Sequence, residues 1–480
     1  MSHRMSSLFL VAFLVYLFSL AFTEATLAYK LLILFRDLMI LALISSGFNY
    51  LRNRAVAMLV GAIVLYALVQ FFGFNMLYNT FPEVEDSAVT ADDQFELLIE
   101  TRDGSIPKAY ERLIRQYQLT VEPAFQVGDG AISQLDEFLV VGIPDASEPM
   151  IREIIRDLRR LKGTVYTEYN EEVSLEQTSS NEGAVSGSTT AVNDPMVGRQ
   201  WAWEAIQGSQ VHERIRSSGI RPRKKVLIAI VDSGVEAGHE DLAGQFKSSG
   251  SKNDTDPLGH GTHCAGVAAA ISNNGIGVAS LVPDPTYVQV TSFRVMNSSG
   301  IGTERTIIQG IIQAADAGAD VISLSLGSLS SDTRQKAYDE AVRYANTKGA
   351  IVVAAAGNSN QNARGYSPAN AKGIIAVSAL DPEQRKASFS NTVNDLQYGI
   401  AAPGVKILST YPGGQYKELD GTSMATPMVA GLIAMLKSYN PDLDTRAVYE
   451  ILNSTGKDIS GGKSTGRMIQ AADAIERIID

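Results

Sequence analysis

Hydrophobic positions divide the chain into stretches of different character. Three apolar runs crowd the start: Leu8 to Phe22, Leu31 to Ile44 and Ala55 to Phe74. The third carries no charge and is long enough, as a helix, to cross about 30 Å of hydrocarbon. The first is shorter and follows Arg4. It reads either as a signal peptide, with small residues near Ser19-Leu20-Ala21, or as a first crossing. The second holds Arg36 beside Asp37, a pair that lipid tolerates only when partnered, so a crossing competes with a re-entrant or interfacial segment. The pattern predicts a membrane region over residues 1–80 with up to three transmembrane helices, about 6–23, 27–48 and 55–74. Arg4 precedes the first run, and Arg52 and Arg54 lie between the second and third. With three crossings, or with a cleaved first run, the charge rule places Asn75 onward on the extracytoplasmic side. Failure of the second run to insert would return it to the cytoplasm.

Past Pro82 the pattern becomes that of a soluble domain. Phe95 to Glu100 alternates as a strand does, and Ile106 to Leu119 has helical spacing. Thr120 to Val127 and Glu137 to Ile143 are strand-like. An amphipathic helix follows, with Met150, Ile151, Ile154, Ile155, Leu158 and Leu161 apolar, then a last strand from Thr164 to Tyr169. This β-α-β-β-α-β order is that of a ferredoxin-like α+β domain, assigned to residues 90–175. Ser, Thr, Gly and Asn then dominate, which predicts an exposed flexible linker over 176–193. From 194 to 480, β-branched runs alternate with helical stretches: Val226 to Val231, Thr286 to Val295, Asp320 to Leu326, Ala350 to Ala355 and Ile374 to Val377. Strands apolar along their whole length are covered on both faces, so the fold class is α/β, a parallel sheet sandwiched by helices.

Composition narrows the functions open to such a chain. The 480 residues carry 52 acidic and 41 basic side chains, a net charge of −11. That balance argues against nucleic acid as a partner, because phosphate binding needs a basic surface. One cysteine, Cys264, excludes an intrachain disulfide and a multi-cysteine metal site. Five histidines make the search for a catalytic imidazole short.

Three segments of the last domain carry chemistry. Asp232 ends a buried strand in Ile230-Val-Asp-Ser-Gly-Val235. His260 lies in Gly259-His-Gly-Thr-His-Cys-Ala-Gly266, and Ser423 opens a helix in Gly421-Thr-Ser-Met-Ala-Thr-Pro427. A hydroxyl needs a base to become a nucleophile at neutral pH, and the base needs an acceptor to hold its tautomer. Asp232, His260 and Ser423 supply these three roles. A fourth segment, Val352 to Asn358, ends a strand with an amide that could face an oxyanion beside the Ser423 N–H. Strand ends of an open α/β sheet share one edge, where ligands bind.

Taken together, Val231-Asp-Ser-Gly234, the His260 and Ser423 segments and Ala356-Gly-Asn358 resemble the subtilisin-like serine proteases, nearest in pattern to the thermitase and proteinase K branches. The resemblance implies Asp232, His260 and Ser423 as the triad and Asn358 as oxyanion donor. Met428 stands where many members have histidine, a position outside the triad. It implies that residues 90–175 are a prodomain that assists folding and then inhibits, with Asn170 to Leu175 leading into the cleft. It implies a structural calcium ion held by Asp194, Asp241 and Asn274 with the carbonyls of Ile271, Ile276 and Val278, and no cofactor for the chemistry. Gly300-Ile301-Gly302 and Ser325-Leu326-Gly327 resemble the family's two peptide-binding walls, with Ala354, Ala355, Ala356 and Gly357 around the primary pocket. Nothing acidic is evident there, which disfavours a pocket for basic side chains.

The expected function is a membrane-anchored serine endopeptidase, a zymogen that cuts itself between about Glu171 and Pro195, acting on proteins or peptides. The alternative is a membrane sensor or scaffold that uses the fold only to bind peptides. Other striking residues have plainer expectations. Among the remaining histidines, His263 lacks a third metal ligand and reads as a packed structural residue, His239 as a solvated turn, and His212 and His3 as surface positions. Cys264 reads as an inert buried thiol.

Overall fold

The computed structural model describes residues 95–479 apart from 145–146, 176–177, 180–191, 331–335 and 460–463. The three apolar runs lie outside the described residues. Among those described, no helix is long and apolar enough to cross a membrane.

The first elements are β1 (Phe95–Thr101), α1 (Glu111–Tyr117), β2 (Thr120–Pro123), β3 (Phe138–Ile143), α2 (Glu148–Arg160) and β4 (Thr164–Tyr169). The strands form an antiparallel sheet in the order β2-β3-β1-β4. Alternation along β1 sends Leu97 and Ile99 to one face, where they pack with Leu113, Ile154 and Leu158 of the two helices. Leu98 points the other way, with Phe138 and Val140, into a cluster shared with Ile307 and Ile311 of the larger domain. Both faces are therefore covered, and Leu97, Leu98 and Ile99 are all buried, where the sequence pattern predicted a half-exposed strand.

Two short strands follow, β5 (Glu172–Ser174) and β6 (Thr178–Ser179). After α3 (Trp201–Ala205) and α4 (Gly208–Ser218) come β7 (Val226–Asp232), α5 (His260–Ala269), β8 (Val288–Arg294), β9 (Ile301–Thr303) and α6 (Glu304–Asp316). Next are β10 (Val321–Leu324), β11 (Ser328–Leu329), α7 (Lys336–Thr347), β12 (Ile351–Ala355), β13 (Tyr366–Ser367) and β14 (Ile375–Leu380). The chain finishes with β15 (Gly399–Pro403), β16 (Ile407–Tyr411), β17 (Gln415–Asp420), α8 (Thr422–Tyr439), α9 (Thr445–Thr455) and α10 (Ala471–Ile479).

Six of these strands make a parallel sheet in the order β15-β14-β12-β10-β7-β8. Ile228, Ile230, Val353 and Val377 face α5 and α8. Ala229, Val231, Ile322 and Val352 face α6 and α7. Each face is sealed by helices, which explains the continuous apolar runs. Strand β15 escaped the sequence reading because Gly399-Ile-Ala-Ala-Pro403 has little β-branched character.

Of the expected linker, residues 176–177 and 180–191 lie outside the described residues, while Thr178 and Ser179 are paired, with Asp420 and Leu419. Just before it, Ser174 pairs with Ile301. Backbone pairing by strand addition leaves no pattern in the added strand, so a Ser- and Thr-rich segment could serve.

Candidate active site

Asp232 is the last residue of β7 and His260 the first of α5, so two different elements must meet to pair them. They do: His260 Nδ1 lies 2.7 Å from Asp232 Oδ1, with both side chains fully buried. Burial alone would push the imidazole down. The Asp232 carboxylate reverses the sign and holds His260 well above the ordinary imidazole range. Cys264 sits 4.0 Å from Nδ1 on the same helix, and burial raises its own thiol, so it stays neutral as expected.

Ser423 stands in the first turn of α8, after Gly421. Proline at 427 has no N–H to give the carbonyl four residues earlier, which frees the Ser423 carbonyl. That carbonyl accepts instead from Ser325 Oγ at 2.8 Å, with Cys264 Sγ at 3.5 Å. In return Ser423 Oγ donates to the Ser325 carbonyl at 3.0 Å. His260 Nε2 makes no hydrogen bond among the described residues. The hydroxyl thus rests on the carbonyl that follows β10 and must leave that bond before its proton can pass to the base.

Asn358 follows β12. Its Oδ1 accepts from the Thr422 backbone N–H and hydroxyl, both at 2.9 Å, which fixes the amide with Nδ2 on the other side. A Cβ placed on Gly421 would lie 3.5 Å from both Asn358 Nδ2 and the Ser423 nitrogen. The Asn358 amide nitrogen and the Ser423 nitrogen therefore lie near one spot beside Gly421. Donors so placed can stabilise a developing oxyanion.

The two expected peptide-binding walls also take shape, and the chain's own β5 lies between them. Val173 pairs with Gly302, Ser174 with Ile301, and the Leu175 N–H donates to the Gly300 carbonyl at 3.0 Å. On the other side Ser174 bridges Gly327 antiparallel. The second short strand, β6, pairs with β17, which runs directly into Gly421 and Ser423. Two short segments of this protein thus pair with strands that lead to the residues around Ser423. Leu326, Ala354, Ala355 and Ala356 are buried against the sheet end. Gly357 takes φ +98, where a Cβ would strike Asn391 Nδ2 at 2.4 Å.

The proposed metal ligands come together at the loop that follows α5. Asp194 accepts from the Asn273 and Asn274 backbone, and Asn274 Nδ2 donates to Asp241 Oδ1 at 2.6 Å. Val278 N donates to Asp241 Oδ2 at 2.9 Å, and Ile276 N to Asn274 Oδ1 at 2.7 Å. Burial raises both carboxyls, and the charge of Asp194 raises Asp241 further. Two buried acids sharing an asparagine, beside the loop holding Ile271, Ile276 and Val278, are a donor set that fits a hard cation.

Sequence reasoning misplaced two histidines. His212 is buried, with Nε2 on the Ser280 carbonyl at 2.9 Å, and burial lowers it to about 4. His239 is buried too, against the Tyr416 ring and 3.1 Å from the Gln415 carbonyl. In both cases the covering residues come from distant segments, invisible in local pattern. His263 is packed as expected, with Nε2 on the carbonyls of Ile407 and Lys417. Two polar residues were passed over. Asn391 ties the Asn358 loop through Ala356, Ser359 and Gln361. The other, Asp256, lies four residues before His260, and that short spacing to a helix start was the available signal.

A parallel α/β sheet with a serine, a histidine–carboxylate pair and converging N–H donors at one edge defines the class: a serine hydrolase that binds extended peptides. Comparison with known proteins agrees. The description "Subtilase family" matches residues 223–468, and the chain belongs to the subtilase family of serine peptidases. It is 42% identical over 275 residues to thermitase of Thermoactinomyces vulgaris, covering 56% of this chain and 92% of the relative. It is 41% identical over 254 residues to subtilisin DY of Bacillus licheniformis, covering 52% and 89%. Among solved structures, a protease of Pseudoalteromonas arctica aligns with a TM-score of 0.53 and 28% identity over 60% of this chain and all of that one. Fervidolysin of Fervidobacterium pennivorans aligns with a TM-score of 0.64 at 23% identity over 82% of this chain and 62% of that one. That likeness is one of fold, and it reaches into the smaller N-terminal domain.

Proposed function

We propose that this chain is a self-processing serine endopeptidase held to a membrane by its N-terminal region. The observation that carries the reading is β5, an extended peptide already paired to both walls beside Ser423. In the reaction His260 Nε2 takes the Ser423 proton as Oγ attacks the peptide carbonyl. Asp232 holds the imidazolium, and Asn358 Nδ2 with the Ser423 N–H receives the oxyanion. His260 then protonates the leaving amine, the C–N bond breaks, and water hydrolyses the acyl-enzyme by the same steps in reverse. The first substrate is the protein itself. The pairing of Ser174 and Leu175 with one wall and of Thr178 with β17 supports a cut within the Glu171–Pro195 interval.

After the cut, the N-terminal domain stays bound as inhibitor through helix ends. Glu168 accepts from the Lys336 and Ala337 N–H groups at the start of α7 at 2.8 and 3.0 Å. Asn170 Oδ1 accepts from Arg305 N at the start of α6 at 2.8 Å. Calcium at Asp194, Asp241 and Asn274 would neutralise two buried acids and stiffen the loop after α5. The active site faces the extracytoplasmic side, a placement that a phosphatase fusion after Tyr78 would report by its activity.

A fluorophosphonate probe tests the core of the proposal. Labelling of the processed protein that disappears in Ser423→Ala, together with loss of processing, is the expected result. A Ser423→Ala chain that still labels overturns the assignment. One that is still processed in pure form assigns the cut to another protease. Full biological activity without Ser423 would favour the scaffold alternative.

A further inference from the structure

We infer that Asp256 is a positioning residue for the hydrolysis, a single carboxylate that locks the strand end bearing Asp232 to the helix start bearing His260. The inference rests on the hydrolytic reading of those residues. Asp256 Oδ1 accepts from Ser233 Oγ at 2.8 Å, from Leu258 N at 3.1 Å and from Gly259 N at 2.8 Å. Its Oδ2 accepts from Thr262 N at 2.8 Å and Thr262 Oγ1 at 2.7 Å. A carboxylate offers about four lone-pair sites, so this one is saturated. It is 8% exposed and lies outside the substrate walls.

The partners are informative. Ser233 follows Asp232 directly, and its N–H donates at 2.7 Å to the same Asp232 Oδ1 that meets His260. Ser233 Oγ in turn accepts from Gly261 N, next to His260, at 3.0 Å. Gly259, Gly261 and Thr262 surround His260 in sequence, so every link ends beside one of the two working groups. Backbone contact allows no slack: a Cβ on Gly261 would lie 2.0 Å from the Gly234 carbonyl and 3.2 Å from Asp232 Cβ. A carboxylate suits the place because its donors gather at the positive end of a ten-residue helix. No neutral side chain of that size accepts from all of them. Asparagine would keep the Ser233 half and set an NH₂ against the Thr262 N–H.

The test uses the full chain, with Asp256→Asn, Ser233→Ala and Ser233→Thr variants assayed on a peptide substrate across pH. Rates are normalised by fluorophosphonate titration, and thermal melts accompany them. Titratable groups facing His260 are Asp232 from β7 and Cys264 and His263 from its own helix. With Cys264 and His263 unchanged, a moved acid limb reports the Asp232 contact. The expected result for Asp256→Asn is a kcat lower by about 10- to 100-fold, the scale of a small misplacement of catalytic groups. KM should stay within about twofold, and the acid limb of kcat should move to lower pH as Asp232 supports the imidazolium less. Ser233→Ala should shift both in the same sense, and Ser233→Thr should restore them. Unchanged kcat and acid limb in Asp256→Asn and Ser233→Ala, with only a lower Tm, would overturn the inference. Should Asp256→Asn fail to fold, the Ser233 pair decides alone: a wild-type profile for Ser233→Ala overturns it. A wild-type chain that hydrolyses no peptide overturns the hydrolytic reading itself.

Discussion

Removing Glu168 should loosen the grip of the N-terminal domain on the cleft by about two orders of magnitude. Its carboxylate, 2% exposed, gives one oxygen to each of the first two N–H groups of α7. A lost cap costs about 1–2 kcal/mol. A partly buried anion at a helix start contributes up to ~2 kcal/mol more. The sum, about 3 kcal/mol, corresponds to roughly 100-fold in a dissociation constant. Glu168→Ala should show the full effect. Glu168→Gln, which keeps one acceptor and loses the charge, should fall between. The Lys336 ion pair with Glu100 and the Asn170 contact remain in both variants and keep the surfaces in register. The assay is inhibition of the separated catalytic segment by residues 90–175, titrated with a fluorogenic peptide. Inhibition by Glu168→Ala within about threefold of the wild type would refute the reasoning, because it would mean that water caps α7 as well as Glu168 does.

Other expectations follow from the same geometry. Because Asp232 holds His260 well above the ordinary range, the acid limb of kcat/KM should lie above pH ~6.5. Asp232→Asn should lower kcat on the order of 10⁴-fold and move that limb down, as steady-state pH profiles would show. His212, lowered to about 4 by burial, binds its proton less readily folded than unfolded. Stability should therefore fall as pH drops from about 6.5 towards 4, by about 3 kcal/mol from this residue, and His212→Gln should flatten that part of a Tm–pH curve. Calcium should raise Tm, and Asp241→Asn should abolish the rise. Asn358→Leu should cut kcat by about 10²- to 10³-fold with KM little changed, a size known from a relative of this chain.

Legibility in the sequence followed how local each cause was. Asp232 and Asn358 follow apolar strands, which placed them on one edge of a parallel sheet, and the resemblance of the short motifs around His260 and Ser423 to a known family joined those two to them. The strands covered on both faces announced themselves by unbroken apolar runs. Burial of His212 and His239 was hidden because Ser280 and Gln415, far along the chain, supply their partners. The pairing of β5 and β6 was hidden because it runs through main-chain atoms that every residue shares. Asp256 escaped for a different reason. An aspartate in a loop is ordinarily a turn residue, and only the three-dimensional meeting of Ser233 and Thr262 shows that it serves two elements at once.

Strand β5 and the cleft it occupies belong to one polypeptide, and that fixes the molecularity of everything that follows. A first cut made within the chain is first order, so its rate does not depend on how much protein is present. A short tether sets a local concentration on the order of millimolar, beyond what competing peptides ordinarily reach. On the proposed reading that advantage would end once the bond is broken, and the freed segment would obey mass action. Crowded together, cut molecules would rebind the N-terminal domain; spread thin, they would lose it. Dilution itself would then be the activating signal.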